Sequence, residues 1–323
     1  MADLFDAIPS LDLHQFTQGN TAQKAQFVDQ LGDAFHRIGF VAIKNHGLTD
    51  ELTEKLYTTV KEFFALPEEV KKQCDRPELH GQRGYTSKGK EHAKGRTTAD
   101  LKEFYQIGQF VDDGDPIKEN YPDNIWPEAE VPNMHSTAKE TYQTLEAAGK
   151  QLLRAIALYL NLEENYFDQH VHNGNSILRA IHYYPIKNPE AVPDDAVRAA
   201  EHGDINLITL LMGASADGLQ VLRRDGAWIP ITALPDQIIV NVGDMLARLT
   251  NDTLKSTIHR VVNPPRELLG MPRYSIPFFM HPRADMDLTC LDSCVSEDQP
   301  KQYEDMTAGA FLEERLREIG LKQ

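Results

Sequence analysis

The sequence predicts a mainly β fold with flanking helices, a sandwich or jelly roll, and three observations carry that expectation. After residue 175 the 323-residue chain breaks into short runs of period two, the spacing of half-buried strands. Asp225-Gly226 between two of these runs is a tight-hairpin signal. Evenly spaced short strands fit a sandwich or jelly roll, whereas the first half of the chain carries helical stripes instead.

The elements follow in order. Phe27, Leu31, Ala34, Phe35 and Ile38 lie at helical spacing over 21–38, and Gly39 then introduces a β-branched run from Phe40 to Ile43. Asn45-His46-Gly47 makes a turn. Thr49 caps a second helix that continues to about Ala65, where Leu66-Pro67 stops it. Residues 76–100, rich in Gly, Lys, Thr and Arg, and 111–134, rich in Asp and Pro, are expected to be loops. Tyr142, Leu145, Ala148, Leu152, Ile156 and Tyr159 recur every three or four residues, giving a long helix over about 136–160 that packs outside a sheet. Strands are then expected at Ile177 to Tyr184, Ile205 to Met212, Leu219 to Leu222, Trp228 to Ile231, Ile238 to Val242, Ser256 to Val262 and Tyr274 to Met280. Gly243-Asp244 offers another turn. A last helix near Met306 to Ile319 would cover one edge of the core. The whole, 1–323, is expected to be one unit, with a helical and stranded N-terminal part (1–135) and a jelly-roll core (136–323) that includes the long helix and the C-terminal helix.

Composition narrows the function. With 33 basic against 49 acidic residues, a net charge of −16 repels phosphate backbones and anionic lipid surfaces, which argues against nucleic-acid and membrane partners. No run approaches the roughly 18 apolar residues of a spanning helix, and the first residues lack a signal peptide's basic and apolar regions. A cytoplasmic protein acting on a small molecule is the expectation, with monomer as the default. Cys74, Cys290 and Cys294 match neither a disulfide framework nor a four-thiolate zinc site.

The chemistry lies in three places. His202-Gly203-Asp204, at the mouth of the Ile205 run, puts an imidazole and a carboxylate on one side of an extended chain. Alone it carries little weight in a chain with 12 histidines, but His259 in a later strand adds a second nitrogen. Two histidines and one carboxylate leave three metal positions open, which suits Fe(II) that must bind a bidentate cosubstrate and O2; zinc prefers a closed or four-coordinate site. Arg273-Tyr274-Ser275 then puts a guanidinium and a hydroxyl on one strand face, a receptor for the far carboxylate of a diacid.

Seven segments in this order resemble one family: Arg37 to Gly47 (RIGFVAIKNHG), His182 to Pro185 (HYYP), His202 to Leu211 (HGDINLITLL), Gly218 to Leu222 (GLQVL), Val240 to Asp244 (VNVGD), Lys255 to Asn263 (KSTIHRVVN) and Arg273 to Phe279 (RYSIPFF). The chain is similar, over nearly its whole length, to the 2-oxoglutarate- and Fe(II)-dependent oxygenases that include isopenicillin N synthase and plant flavonoid and gibberellin enzymes. The resemblance implies a double-stranded β-helix, with His202, Asp204 and His259 as iron ligands and Arg273 and Ser275 as partners of the 2-oxoglutarate carboxylate. It also implies that Tyr184 adds a hydrogen bond to that carboxylate, that Leu219 and Val261 line the pocket, and that Phe104 or Tyr105 contributes an aromatic wall for substrate. O2 is the oxidant, succinate and CO2 leave, and the substrate is hydroxylated, desaturated or cyclised. His182 stands where many plant members have Asn. His46 and Asp244 are expected to be structural, and His170 and His172 to be surface residues. Lid candidates are the loops near 81–98 and 186–200. Family members that dispense with 2-oxoglutarate retain the Arg-x-Ser pair, so the motif leaves that alternative open, beside a non-catalytic jelly-roll binding protein.

Overall fold

The computed structural model describes residues 6–90, 100–186, 197–213, 218–232 and 234–318. In chain order its strands are β1 (Ser10–Asp12), β2 (Phe40–Lys44), β3 (Gly84–Thr86), β4 (Glu103–Gly108), β5 (Ile177–Tyr183), β6 (Ala199–His202), β7 (Ile208–Met212), β8 (Leu219–Leu222), β9 (Trp228–Pro230), β10 (Gln237–Val242), β11 (His259–Val261) and β12 (Arg273–Met280). They form an eight-stranded sheet in the order β1-β2-β10-β7-β12-β5-β4-β3 and a four-stranded sheet in the order β6-β11-β8-β9. These are the two layers of a jelly roll, with helices packed outside the larger one.

The helices form where the sequence puts their caps. Asn20 and Gln23 make a reciprocal capping box at the start of the Thr21–Arg37 helix, and Thr49 accepts from Leu52 N at the start of Asp50–Ala65, each cap satisfying amides that the helix leaves bare. The 26-residue helix Met134–Tyr159 buries Tyr142, Leu145, Leu152 and Ile156. It lies so close to the large sheet that a Cβ on Gly149 would stand 2.5 Å from Met280 Sδ, so a larger residue there would have to displace that side chain. Asp225-Gly226 turns the β8–β9 hairpin, with Gly226 at φ 85°.

Four strands escape the sequence pattern. β1 and β3 are three residues each, too short for an alternation to register. β4 is buried on both faces, so its polar and aromatic residues show no period of two. β6 (Ala-Ala-Glu-His) has no β-branched residue.

Several expected strands are shorter, Ser256 to Val262 shrinking to His259–Val261, and one shortening has a consequence for the site. The run expected from Ile205 begins only at Ile208, because the preceding carbonyls bond elsewhere. Asp204 O accepts from Asp244 N at 2.7 Å, Ile205 O from Met245 N at 3.2 Å and Leu207 O from Gly243 N at 2.9 Å. The turn expected at Gly243-Asp244 is therefore the start of a short helix, Asp244–Leu249. His202 ends β6 in the small sheet, and Asp204 lies in the crossing to β7 in the large one.

Candidate active site

The register of the small sheet fixes the two histidines. β11 pairs with β6 so that His259 lies directly opposite His202, and the rings stand 4.4 Å apart. His202 Nδ1 faces Ala200 O at 2.7 Å and His259 Nδ1 faces Thr257 O at 3.1 Å. A carbonyl only accepts, so each Nδ1 carries a proton, and in the neutral ring Nε2 is left with the lone pair. Both lone pairs point toward one oxygen: Asp204 Oδ1 is 3.9 Å from His202 Nε2 and 3.7 Å from His259 Nε2.

Asp204 is held from the large sheet. Its Oδ2 accepts from Thr209 Oγ1 at 2.6 Å and from Asn241 Nδ2 at 2.8 Å, on β7 and β10, where Asn241 pairs with Thr209. One oxygen is fixed by protein donors and the other is left toward the imidazoles. Burial alone would raise the Asp204 carboxyl, but His259, His202 and the two hydrogen bonds outweigh it and hold it below its usual range. Burial, with the neighbouring His259, lowers His202 to about 4, which keeps the ring neutral at ordinary pH. Ligand atoms of His202, Asp204 and His259 all lie within 4.8 Å of one another. Two imidazoles and one carboxylate oxygen, each oriented by a second partner, fit a divalent iron with open positions.

These residues face a cavity of about 500 Å³ between the sheets. Alternation along β12 puts Ser275, Pro277, Phe279 and then His281 on its wall. Arg273 shares that face, is 1% exposed, and stands opposite Tyr183 on β5, with its guanidinium 5.0 Å from the Tyr183 ring. Leu219 and Val261 line the cavity. Tyr184 does not: it follows the end of β5 and its ring lies under the Lys88 ammonium at 4.4 Å. The register thus sets Tyr183, one residue earlier than the resemblance implied, beside Arg273.

The other end of the cavity is lined by Asn175, Ile177, Arg179, Phe279 and His281, and closed by Leu312, Arg315 and Leu316 of the Ala308–Glu318 helix. The C-terminal helix therefore covers the cavity itself, not only an edge of the core. Arg179 donates from Nε to Gln106 Oε1 at 2.6 Å, and its guanidinium lies 4.3 Å from the Phe104 ring and 5.3 Å from the Phe279 ring. Phe104 thus backs the wall through Arg179, while Tyr105 turns away to pack on Phe63.

Most of the remaining candidates fall outside. His182 faces away from the cavity, where its Nδ1 donates to Glu103 Oε1 at 2.8 Å. His46 Nδ1 accepts from Leu48 N, a local turn contact, and His172 is exposed. Asp244 lines the cavity but its Oδ1 accepts from Ser256 Oγ. Of the lid candidates, 91–98 and 187–196 lie outside the described residues. Sequence reasoning gave no role to Thr209 or Asn241, although both stand inside or beside quoted motifs, nor to Arg179 or His281.

Comparison with known proteins agrees with this geometry. Residues 174–282 match the 2OG-Fe(II) oxygenase superfamily, and residues 8–129 match the N-terminal region of non-haem dioxygenases in morphine synthesis. A 2-oxoglutarate-Fe(II) type oxidoreductase, ppzD, of Metarhizium rileyi is 31% identical over 96% of this chain and 90% of its own. The proline hydroxylase buaE of Petromyces alliaceus is 34% identical over 96% and 98%. Among solved structures, a 2OG-Fe(II) oxygenase family protein from Caulobacter crescentus superposes with TM-score 0.85 at 42% identity, covering 98% of this chain and 100% of that one. A full-length Neurospora crassa protein in complex with alpha-KG gives 0.83 at 33%, covering 96% and 95%, and its complex with alpha-KG and thymine gives 0.81 at 32%, covering 96% and 96%. Fe(II), 2-oxoglutarate and O2 are accordingly the metal, cosubstrate and oxidant of an enzyme that oxidises a substrate with release of succinate and CO2, and the chain belongs to the 2-oxoglutarate- and Fe(II)-dependent oxygenase superfamily.

Proposed function

We propose that this enzyme hydroxylates a small molecule in the Phe279 end of its cavity, with His202, Asp204 and His259 holding iron and Arg273 and Ser275 holding the far carboxylate of 2-oxoglutarate. The observation that carries the reading is the convergence of two bare Nε2 lone pairs and one free carboxylate oxygen on a single cavity. Bound iron would couple oxidative decarboxylation of the cosubstrate to oxidation of a substrate C–H bond. The chain's own part is positional. Ala200 and Thr257 carbonyls hold the imidazole tautomers, Thr209 and Asn241 hold the carboxylate, and Leu211, Leu219 and Val261 exclude water. Arg179, Phe279 and His281 are then left to orient the substrate. A flat, polar molecule of nucleobase or amino-acid size suits the guanidinium beside an aromatic face, and the relatives named for thymine and proline point to the same size range.

We read 1–323 as one working unit. Four strands of the 1–135 part (β1 to β4) lie in the same sheet as β5, β7, β10 and β12 of the 136–323 part, which favours that reading. A cytoplasmic monomer without nucleic-acid or membrane partners is consistent with the net charge of −16, and no helix among the described residues is long and apolar enough to cross a membrane.

The test is a substrate screen with Fe(II), 2-oxoglutarate and O2 that begins with thymine and L-proline and widens to other small ring and amino-acid compounds. The expected hit gains one oxygen atom in step with the succinate formed. Succinate formation that no compound accelerates, or a hit that loses hydrogen without gaining oxygen, would contradict hydroxylation.

A further inference from the structure

His281 is a buried imidazole whose ring makes no hydrogen bond among the described residues. It is 8% exposed and lines the cavity with Phe279 and Arg179. Its hydrogen bonds all use the main chain: His281 N donates to Ser176 Oγ at 3.2 Å, and its carbonyl accepts from the same hydroxyl at 3.3 Å. Nδ1 is enclosed without a partner. A proton on Nδ1 would strand a buried donor, so the neutral ring carries it on Nε2 and presents an N–H to the cavity.

Asn175 stands beside it on the same wall. Asn175 N donates to Pro282 O at 3.2 Å, and a Cβ on Gly174 would stand 2.3 Å from His281 O, so the two segments are laced together backbone to backbone. Both side chains are left over for the cavity they line, and the Asn175 amide is likewise unpaired among the described residues. Unmade hydrogen bonds on a fixed, buried wall are costly unless a ligand completes them.

The charges narrow the ligand. Burial, which outweighs the pull of Asp204 and is helped by Arg179, holds the His281 ring down at about 4, so it meets its partner as a neutral donor. An amino acid would need a carboxylate for its ammonium, and the acid of the closing helix that lines this cavity, Glu318, is ion-paired with Arg315 at 2.9 Å. A neutral carbonyl suits the His281 N–H and the Arg179 guanidinium, while an amide such as Asn175 can both accept from a ring N–H and donate to a ring carbonyl. Phe279, two residues before His281 on β12, offers an aromatic face to the same molecule.

We propose that His281 and Asn175 together read the amide edge of a neutral ring, which makes the substrate a cyclic amide or imide such as a pyrimidinedione or a lactam. The inference rests on the reading that substrate occupies the Phe279 end of the cavity. His281 Nε2–H donates to a ring carbonyl, and the Asn175 side chain pairs with the adjoining ring N–H.

The experiment is calorimetric titration of the anaerobic Fe(II)–2-oxoglutarate protein with thymine, uracil, 2-pyrrolidinone and L-proline, for wild type, His281→Phe, His281→Gln and Asn175→Ala. The charge-transfer band of the chelated metal and the melting temperature of the metal-free protein are recorded for each. Wild type should bind at least one of the three ring amides more tightly than L-proline. His281→Phe, flat but without the N–H, should bind that ring amide about tenfold more weakly, and His281→Gln, which keeps an N–H, should fall between it and wild type. The band should be unaltered, and His281→Phe should melt no lower than wild type, because its ring gives up no hydrogen bond within the protein. Undiminished ring-amide affinity in His281→Phe, or an equal loss for the ring amide and L-proline, would overturn the proposal. Should His281→Phe not fold, Asn175→Ala decides, and wild-type affinity there would overturn it as well. A wild type that forms the band but prefers L-proline, or binds no ring amide, refutes this inference and leaves the metal and cosubstrate assignment standing; no band with iron bound removes the reading beneath it.

Discussion

Two polar clusters lie on opposite sides of the large sheet, one against the helices and one across the cavity, and they differ in how far their own residues satisfy them. On the helix side, Glu103 accepts from Lys71 Nζ at 2.8 Å, Tyr85 Oη at 2.5 Å and His182 Nδ1 at 2.8 Å, and His182 stacks on Tyr274 with ring centroids 4.8 Å apart. Both carboxylate oxygens and the ammonium have protein partners. On the cavity side, the imidazoles of His202 and His259 keep bare Nε2 atoms and Asp204 keeps one oxygen. The first cluster needs nothing further and holds strands and helix together. The second is complete only with a metal, which marks it as the site for chemistry although both are equally polar in sequence.

The largest effect expected is on the cavity side. His259→Ala should abolish Fe(II) binding and turnover while the metal-free protein stays folded, as read by metal analysis and circular dichroism. Glu103→Gln should do the reverse. Leaving Lys71 buried without its carboxylate should cost about 3 kcal/mol of unfolding free energy in urea melts, with iron affinity of the folded protein nearly intact.

That loss has a pH signature. Burial would raise the Glu103 carboxyl, but His182, Lys71 and Tyr85 outweigh it and depress it from 4.5 to about 2. A depressed carboxyl stabilises the fold above its unfolded value, and the contribution is lost as pH falls through the folded one. The stability gap between wild type and Glu103→Gln should therefore be full above pH 4.5 and shrink toward pH 2. A gap independent of pH would mean that the carboxylate charge is not what holds the cluster.

Smaller effects sharpen the contrast within the cavity. Arg273→Ala should raise the 2-oxoglutarate requirement by roughly 1.5–3 kcal/mol, the range of a charged hydrogen bond, and leave iron affinity unaltered. Asn241→Ala, which removes a donor from Asp204 Oδ2 without touching the metal-facing oxygen, should weaken Fe(II) binding by about tenfold. Tyr184→Phe, outside the cavity wall, should change 2-oxoglutarate affinity least; a loss as large as that of Arg273→Ala would restore Tyr184 to the carboxylate.

The sequence made the donors legible because alternation and motif order name side chains directly. His202, Asp204 and His259 come together in the structure, and Arg273 and Ser275 share a face of β12. It hid what depends on pairing. The resemblance points to Tyr184, whereas strand pairing sets Tyr183 opposite Arg273. β4 was invisible because Glu103, the buried first residue of the strand, reads as a loop residue until Lys71, Tyr85 and His182 are brought to it. The Ile205 run appears as one strand, since nothing in it announces that its first carbonyls cap the Asp244–Leu249 helix.

The most direct test of the cavity-side cluster is anaerobic addition of Fe(II) and then 2-oxoglutarate, following the weak visible charge-transfer band of the chelated metal in wild type, Glu103→Gln and His259→Ala. The band should form in wild type and in folded Glu103→Gln and be absent from His259→Ala; a band that survives in His259→Ala, or no band in wild type with iron bound, would contradict the assignment.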